Sequence, residues 1–192
     1  QECNFVLLNT YTPIIYQFEY LQSSSAQFGL VDTLKESSKK GLDELQKNIL
    51  SEFNNPKHVF TKISSFNSLT TEIDDLYSNN IMDIIVMGTK GASGVTGVLF
   101  GSNTIHVIKN AKCPVMAIPS DFSFETPHEI LFPTDYEIEY QAKHLKPIIE
   151  IAQNHISRVN IMHVYTSNDL TEAQQKNKSI LETSIKNIAH LF

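Results

Sequence analysis

The chain has 192 residues, of which 41% are hydrophobic and 19% charged, a balance too apolar for a disordered chain. The formal net charge is −6, and Arg158 is the single arginine, so a wide basic groove and general nucleic-acid binding are excluded. No apolar run approaches the length of a membrane span and no signal peptide is visible, so no membrane partner is expected.

Phe5-Val-Leu-Leu8 reads as a strand buried on both faces. Residues 30–54 predict a long helix with Leu34, Leu42, Leu45, Ile49 and Phe53 on one stripe, ended before Pro56. His58–Ile63 alternates like a strand nearer a sheet edge. Ser68 opens a short helix marked by Leu69, Ile73, Leu76 and Tyr77. Ile81 to Met87 is a buried strand, Asn103 to Ala111 a helix, and Pro114–Pro119 a last strand whose two prolines favour an edge position. Strands separated by helices require right-handed crossovers, so the fold class is α/β with a parallel, doubly wound sheet.

The pattern then restarts. A linker is expected at 121–128, followed by a strand at Ile130–Pro133 that ends in Thr134-Asp135. Leu145, Ile148, Ile149 and Ala152 define a helix, and Val159–Tyr165 is another strand. Phe5–Thr12 aligns with Val159–Thr166 at an offset of 154, and Lys47–Phe53 with Lys186–Phe192 at an offset of 139, which points to an internal repeat. The strand and helix of 130–155 have no counterpart before Gln1. A first residue that is not Met, together with the first offset, leads to an expectation of roughly 25 further residues upstream. The alternative is that Ile130–Pro133 swaps into the central strand position of the first domain.

Five of the seven glycines (Gly88, Gly91, Gly94, Gly97 and Gly101) crowd into one stretch between a strand signal and the helix-start signal Ser102-Asn103, with Ile105 and Ile108 as the first periodic apolar residues. A glycine-rich turn between a strand and a helix N-terminus suits a phosphate, because unpaired N–H groups and the helix dipole converge on the anion. No Gly-Lys-Ser/Thr closes the loop, so it is not a Walker A motif, and Gly94-Val-Thr-Gly97 departs from the dinucleotide fingerprint. Lys90 reads equally as a phosphate counter-charge and as a solvated loop lysine. Cys3 and Cys113 form no CxxC pair and read as buried thiols in a reducing cytosol, the alternative being an extracellular disulfide. The histidines show no metal-ligand spacing, and His106 and His163 read as partly buried structural residues. No nucleophile elbow is present.

Gly88-x2-Gly91-x9-Gly101-Ser102, with Met87-Gly-Thr-Lys-Gly before it and Lys112-Cys-Pro-Val-Met-Ala-Ile118 after it, resembles the nucleotide-binding motif of the universal stress protein family. Phe132-Pro-Thr-Asp135 is similar to that family's first strand and acidic turn. The resemblance covers nearly all of 1–166 and implies a Rossmann-like five-stranded parallel sheet of the adenine-nucleotide-binding superfamily type, order 3-2-1-4-5, often in tandem copies or dimers. It implies one nearly complete copy at 1–120, without its first strand and helix, and the start of a second at 129–192. It also implies ATP, accompanied by Mg²⁺ on charge grounds, with the triphosphate at Gly88, Gly91, Gly101, Ser102 and the backbone of Asn103. The nucleoside would lie at Asp135, whose alternative role is to cap the helix that follows, and at Thr10, or at Val164 in the second copy. Tyr11, Tyr16, Phe18 and Tyr20 either cover the adenine pocket or pack against the second domain.

These implications describe a cytoplasmic, ATP-binding stress-response regulator acting through conformation or partner binding, with slow hydrolysis open but no general base in view. Its pairing surface, as a homodimer or an intrachain pseudo-dimer, would be the edge strand 114–119. The alternative is a nucleotide-free interaction module of the same fold. A third reading, an enzyme of the wider superfamily, lacks a Ser-Gly-Gly-x-Asp-Ser loop.

Overall fold

The computed structural model describes residues 2–11, 26–89, 101–163 and 169–192. The chain divides into two units, Gln1–Ile118 and Pro119–Phe192, and within each of them parallel strands alternate with helices. The first unit runs β1 (Cys3–Thr10), α1 (Ala26–Glu52), β2 (His58–Ser65), α2 (Leu69–Ser78), β3 (Ile85–Gly88), α3 (Ser102–Asn110) and β4 (Val115–Ile118). β1 pairs in parallel with β2, Phe5 against Phe60, and β3 pairs in parallel with β4, Ile85 against Val115. Among the described residues the two pairs form separate two-stranded sheets rather than one sheet of five. They share an apolar cluster of Ile73, Ile85 and Val107, against which Leu8, Met87 and Val115 pack.

Local chemistry explains the boundaries. Ser68 caps α2, its Oγ accepting from the Thr71 N–H at 3.2 Å. At the other end Asn80 adopts φ 55°, and the Asn80 and Ile81 N–H groups return to the Tyr77 and Leu76 carbonyls at 3.0 Å each. This left-handed stop consumes the apolar run from Ile81, so β3 begins only at Ile85 instead of at Ile81. The expectation of strands buried on both faces fails at Phe5 and Val86, which are exposed. Leu42 is the buried anchor of α1, whereas Leu45 and Phe53 are exposed. A helix of 27 residues is about 40 Å long and overhangs strands of about 27 Å.

The second unit runs β5 (Glu129–Thr134), α4 (Ala142–His155), β6 (Arg158–His163), α5 (Glu172–Ile185) and β7 (His190–Leu191), with sheet order β5-β6-β7, all parallel. Val159 and Ile161 of β6, Leu145 and Ala152 of α4, and Leu181 and Ile185 of α5 form its core, with Ile130 and Phe132 of β5 packed against them. Thr171 and Gln174 form a capping box at the start of α5. Arg158 forks onto Glu129 at 2.7 and 3.0 Å, and its hydrogen bonds hold that carboxyl below the usual carboxylate range.

The first alignment of the repeat joins strand to strand, β1 to β6. The second does not, because Lys47–Glu52 closes α1 whereas His190 and Leu191 form β7. Helix α4 ends on Ile156 at φ 55° and ψ 40°, with the side chain 90% exposed. A β-branched residue in the left-handed region costs about 1–2 kcal/mol and here no burial offsets it. Ile156→Gly is expected to raise the stability of this unit by about 1 kcal/mol, read from urea unfolding followed by hydrogen exchange in peptides of 129–192.

Candidate functional site

The site is built where β3 hands over to α3. Parallel pairing continues one residue past Gly88, the Thr89 N–H donating to the Ile118 carbonyl at 2.9 Å. The Thr89 carbonyl then accepts from the Gly101 N–H at 2.6 Å, so the two residues flanking 90–100 are pinned together. Thr104, only 2% exposed, donates its hydroxyl to the Gly88 carbonyl at 2.8 Å and ties the first turn of α3 to the end of the strand. Gly91 and Lys90 lie outside the described residues, as do Gly94 and Gly97.

Gly101, rather than Ser102, is the N-cap of α3, and no side chain caps the helix. Its φ of −65° and ψ of 156° are open to any residue, so glycine is not required by the backbone angle. What it supplies is bare space over the first turn. Ser102 and Asn103 are exposed within that turn, and their amide donors belong to the set that a helix leaves without intrahelical partners. The Ser102 hydroxyl makes no capping bond to the helix. The buried face of α3 is Thr104 and Val107, whereas Ile105 and Ile108 are exposed, so the apolar spacing marked the wrong face. Thr104 was missed because a threonine three residues past a glycine carries no apolar signal. Its shared helix face with Val107 is the clue that was available.

Thr10 ends β1 opposite Ser65 and is half-buried. Beside it, the Tyr11 ring meets Phe66 edge-on at 5.7 Å. Tyr16, Phe18 and Tyr20 lie outside the described residues, as does Val164. The same end of the β1–β2 sheet carries a polar group absent from the sequence reading: Glu72 accepts from Ser65 Oγ at 2.6 Å and from Asn67 Nδ2 at 3.2 Å. Thr10 and Gly88 thus both stand at carboxyl ends of parallel strands, where open α/β sheets bind ligands.

Asp135 belongs to the second unit and follows β5. It does not cap α4, whose N-cap is Gln141. Its Oδ1 instead accepts the Glu137 N–H at 3.0 Å, closing a tight turn. Gln174 Nε2 donates to the Asp135 carbonyl at 3.0 Å and Asn177 Nδ2 to the Tyr136 carbonyl at 2.8 Å. Two buried amides of α5 thus fix the turn around an exposed carboxylate.

Among the described residues, no group of three or more His, Cys, Asp or Glu side chains could hold a metal. His163 lies between strands, its Nδ1 3.0 Å from the Thr134 carbonyl and its ring stacked on Tyr136, whereas His106 is exposed rather than partly buried. Cys3 and Cys113 are free and half-buried, and burial raises the Cys113 thiol above its ordinary range. No helix among the described residues is long and apolar enough to cross a membrane.

Residues 15–119 match the model of the Universal stress protein family. A stretch of 47 residues is 45% identical to Universal stress protein MJ0531 of Methanocaldococcus jannaschii, spanning 24% of this chain and 28% of that protein's length. Among solved structures, hypothetical protein MJ0577 is similar with a TM-score of 0.51 at 23% identity, over 64% of this chain and 80% of that one. The latter likeness is one of fold.

Thr104→Val retains the shape of the side chain and removes the bond to Gly88. It is expected to cost about 1–2 kcal/mol in urea unfolding, with Thr104→Ser restoring most of the loss.

Proposed function

Because the chain belongs to the universal stress protein family, we propose that it binds ATP at the β3–α3 junction and acts as a cytoplasmic stress-response regulator. The observation that carries this reading is the side-chain-free N-cap Gly101, held by Thr89 at the head of an open helix turn. The triphosphate would be held by the Ser102 and Asn103 amides, the Ser102 hydroxyl, and Gly88 and Gly91. Thr10 would flank the adenine, with the Tyr11–Phe66 pair as the adjacent apolar wall. Asp135 would serve the corresponding place in the second unit.

The donor set fits an anion: backbone amides at a helix N-terminus plus one hydroxyl supply charge-assisted bonds worth roughly 1.5–3 kcal/mol each. Less the cost of ordering the ligand, a few such bonds give micromolar affinity. Mg²⁺ would travel with the triphosphate, whose own oxygens supply its hard ligands. Bound nucleotide would supply charge and shape at the head of α3; the output would be a change of conformation or partner rather than rapid turnover. In this reading 1–120 form one family domain and 129–192 begin another, joined by the linker 121–128. The parallel strand–helix–strand arrangements of β1–α1–β2 and β6–α5–β7 support it. The outer edge of β4 is the proposed pairing surface for a homodimer or an intrachain pseudo-dimer.

Calorimetric titration of the full chain with ATP and Mg²⁺ is expected to show micromolar binding. Gly101→Asp, which places a negative charge over the first turn without demanding a new backbone angle, is expected to abolish the heat while leaving circular dichroism unchanged. No heat from the unmodified chain at high micromolar ATP would favour the nucleotide-free interaction module.

A further inference from the structure

The carboxylate of Glu72 takes no part in the phosphate cradle, yet it is held in one orientation at the same end of the strands. Glu72 lies in the first turn of α2. Ser65 Oγ donates to it at 2.6 Å and Asn67 Nδ2 at 3.2 Å. Both donors reach the same oxygen, Oε2, and among the described residues Oε1 accepts no hydrogen bond. An ionised carboxylate has no donor of its own, so Oε1 can only accept.

Strand register sets this group beside Thr10. Ile63 pairs with Leu8 and Ser65 with Thr10, so these four side chains project from one face of the β1–β2 sheet. It is the face toward α2 and α3, since Leu8 packs into the cluster of Ile73, Ile85 and Val107. Glu72 adjoins Ile73 on α2, and Gly101 heads α3. Paired strands lie about 5 Å apart, so Glu72 stands one hydrogen bond beyond the strand next to Thr10. Ser65 and Asn67, which hold the carboxylate, flank Phe66, whose ring meets Tyr11 edge-on at 5.7 Å. An aromatic surface bordered by an oriented acceptor suits a flat heterocycle whose edge donates a proton.

We propose that Glu72 selects the base, its Oε1 accepting a hydrogen bond from the 6-amino group of adenine. The proposal rests on the reading that ATP binds with its adenine beside Thr10. The Thr10 hydroxyl does not discriminate between bases, because it both donates and accepts. A carboxylate distinguishes an edge that presents an amine from one that presents a carbonyl or a C–H group. A half-buried carboxylate facing the wrong edge loses water and gains no bond in exchange, which is the kind of mismatch that gives strong selection.

Purine riboside triphosphate is ATP without the 6-amino group. In calorimetric titration of the full chain with Mg²⁺ present, it should bind roughly 10–100-fold more weakly than ATP. Glu72→Gln keeps an oxygen for Ser65 and Asn67 and puts an amide donor in place of Oε1. ATP should then weaken by a similar factor and purine riboside triphosphate by less than about threefold, so that the ratio between them falls toward one. Circular dichroism and the urea midpoint should match those of the unmodified chain. Equal binding of the two nucleotides by the unmodified chain would overturn the proposal and leave ATP binding at the β3–α3 junction standing. So would a Glu72→Gln variant that weakens both nucleotides equally or neither, which would leave the carboxylate as a brace for the turn from β2 into α2. Binding of neither nucleotide by the unmodified chain would overturn this proposal together with the reading beneath it.

Discussion

A parallel strand cannot be reached from its neighbour by a tight turn, and this constraint shapes everything observed in the chain. Each strand must be followed by a crossover helix before the next can pair beside it. Each crossover lays its helix on one face of the sheet and leaves the other face to helices that come from elsewhere in the order. A short series of such units therefore ends with open edges and half-covered sheets. Val86 and Leu131 are exposed for this common reason: their neighbours Ile85 and Ile130 point to the face that packs, and they point to the other.

The same constraint places the chemistry. Parallel strands bring their carboxyl ends, and hence the loops leading into the helices, to one side, where backbone donors collect. At β3 this is reinforced by two hydrogen bonds of different kinds. The Gly101 N–H to Thr89 bond fixes where the chain re-enters, and the Thr104 hydroxyl to Gly88 bond fixes how the helix starts. A buried hydroxyl is used where an apolar residue would pack equally well, because the last carbonyl of the strand needs a donor once its ladder ends. The helix is thereby anchored through its third residue, and its first two stay outside the packing.

Much of this was legible in the sequence, and the failures are instructive. Apolar runs and Gly, Pro and Ser punctuation located the elements from β1 to β6 to within a few residues, whereas α5 and β7 were not located, the repeat having matched 186–192 to the end of a helix. Ser68 marked a true cap, because a side-chain oxygen next to an apolar-periodic stretch has few other local uses. The start of β3 was misjudged because Ile81 to Ile84 is as apolar as a strand but serves as the exit from a left-handed helix stop at Asn80. The burial of β1 and β3 was misjudged because strand pattern reports what a strand suits, not what stands beside it. Within the candidate site, the glycines and Ser102 were visible from spacing. Thr104 and the Glu72 cluster were not, since their roles arise from partners 16 residues and 5–7 residues away.

Ser102 lies inside the first turn of α3 rather than at its cap. As a cap, its hydroxyl would be consumed by the amide of the third helical residue and would have little capacity for a ligand. Moving the cap back by one position gives that duty to Gly101, which has no side chain to perform it. The helix then keeps its first-turn donors unsatisfied from within, at a cost of about 0.5–2 kcal/mol relative to a capped helix. The tie from Thr104 to Gly88 offsets a loss of this size from the far side of the same turn. The arrangement is stable without a ligand and yet leaves its donors exposed to one, a combination that neither a serine cap nor an untethered glycine would provide.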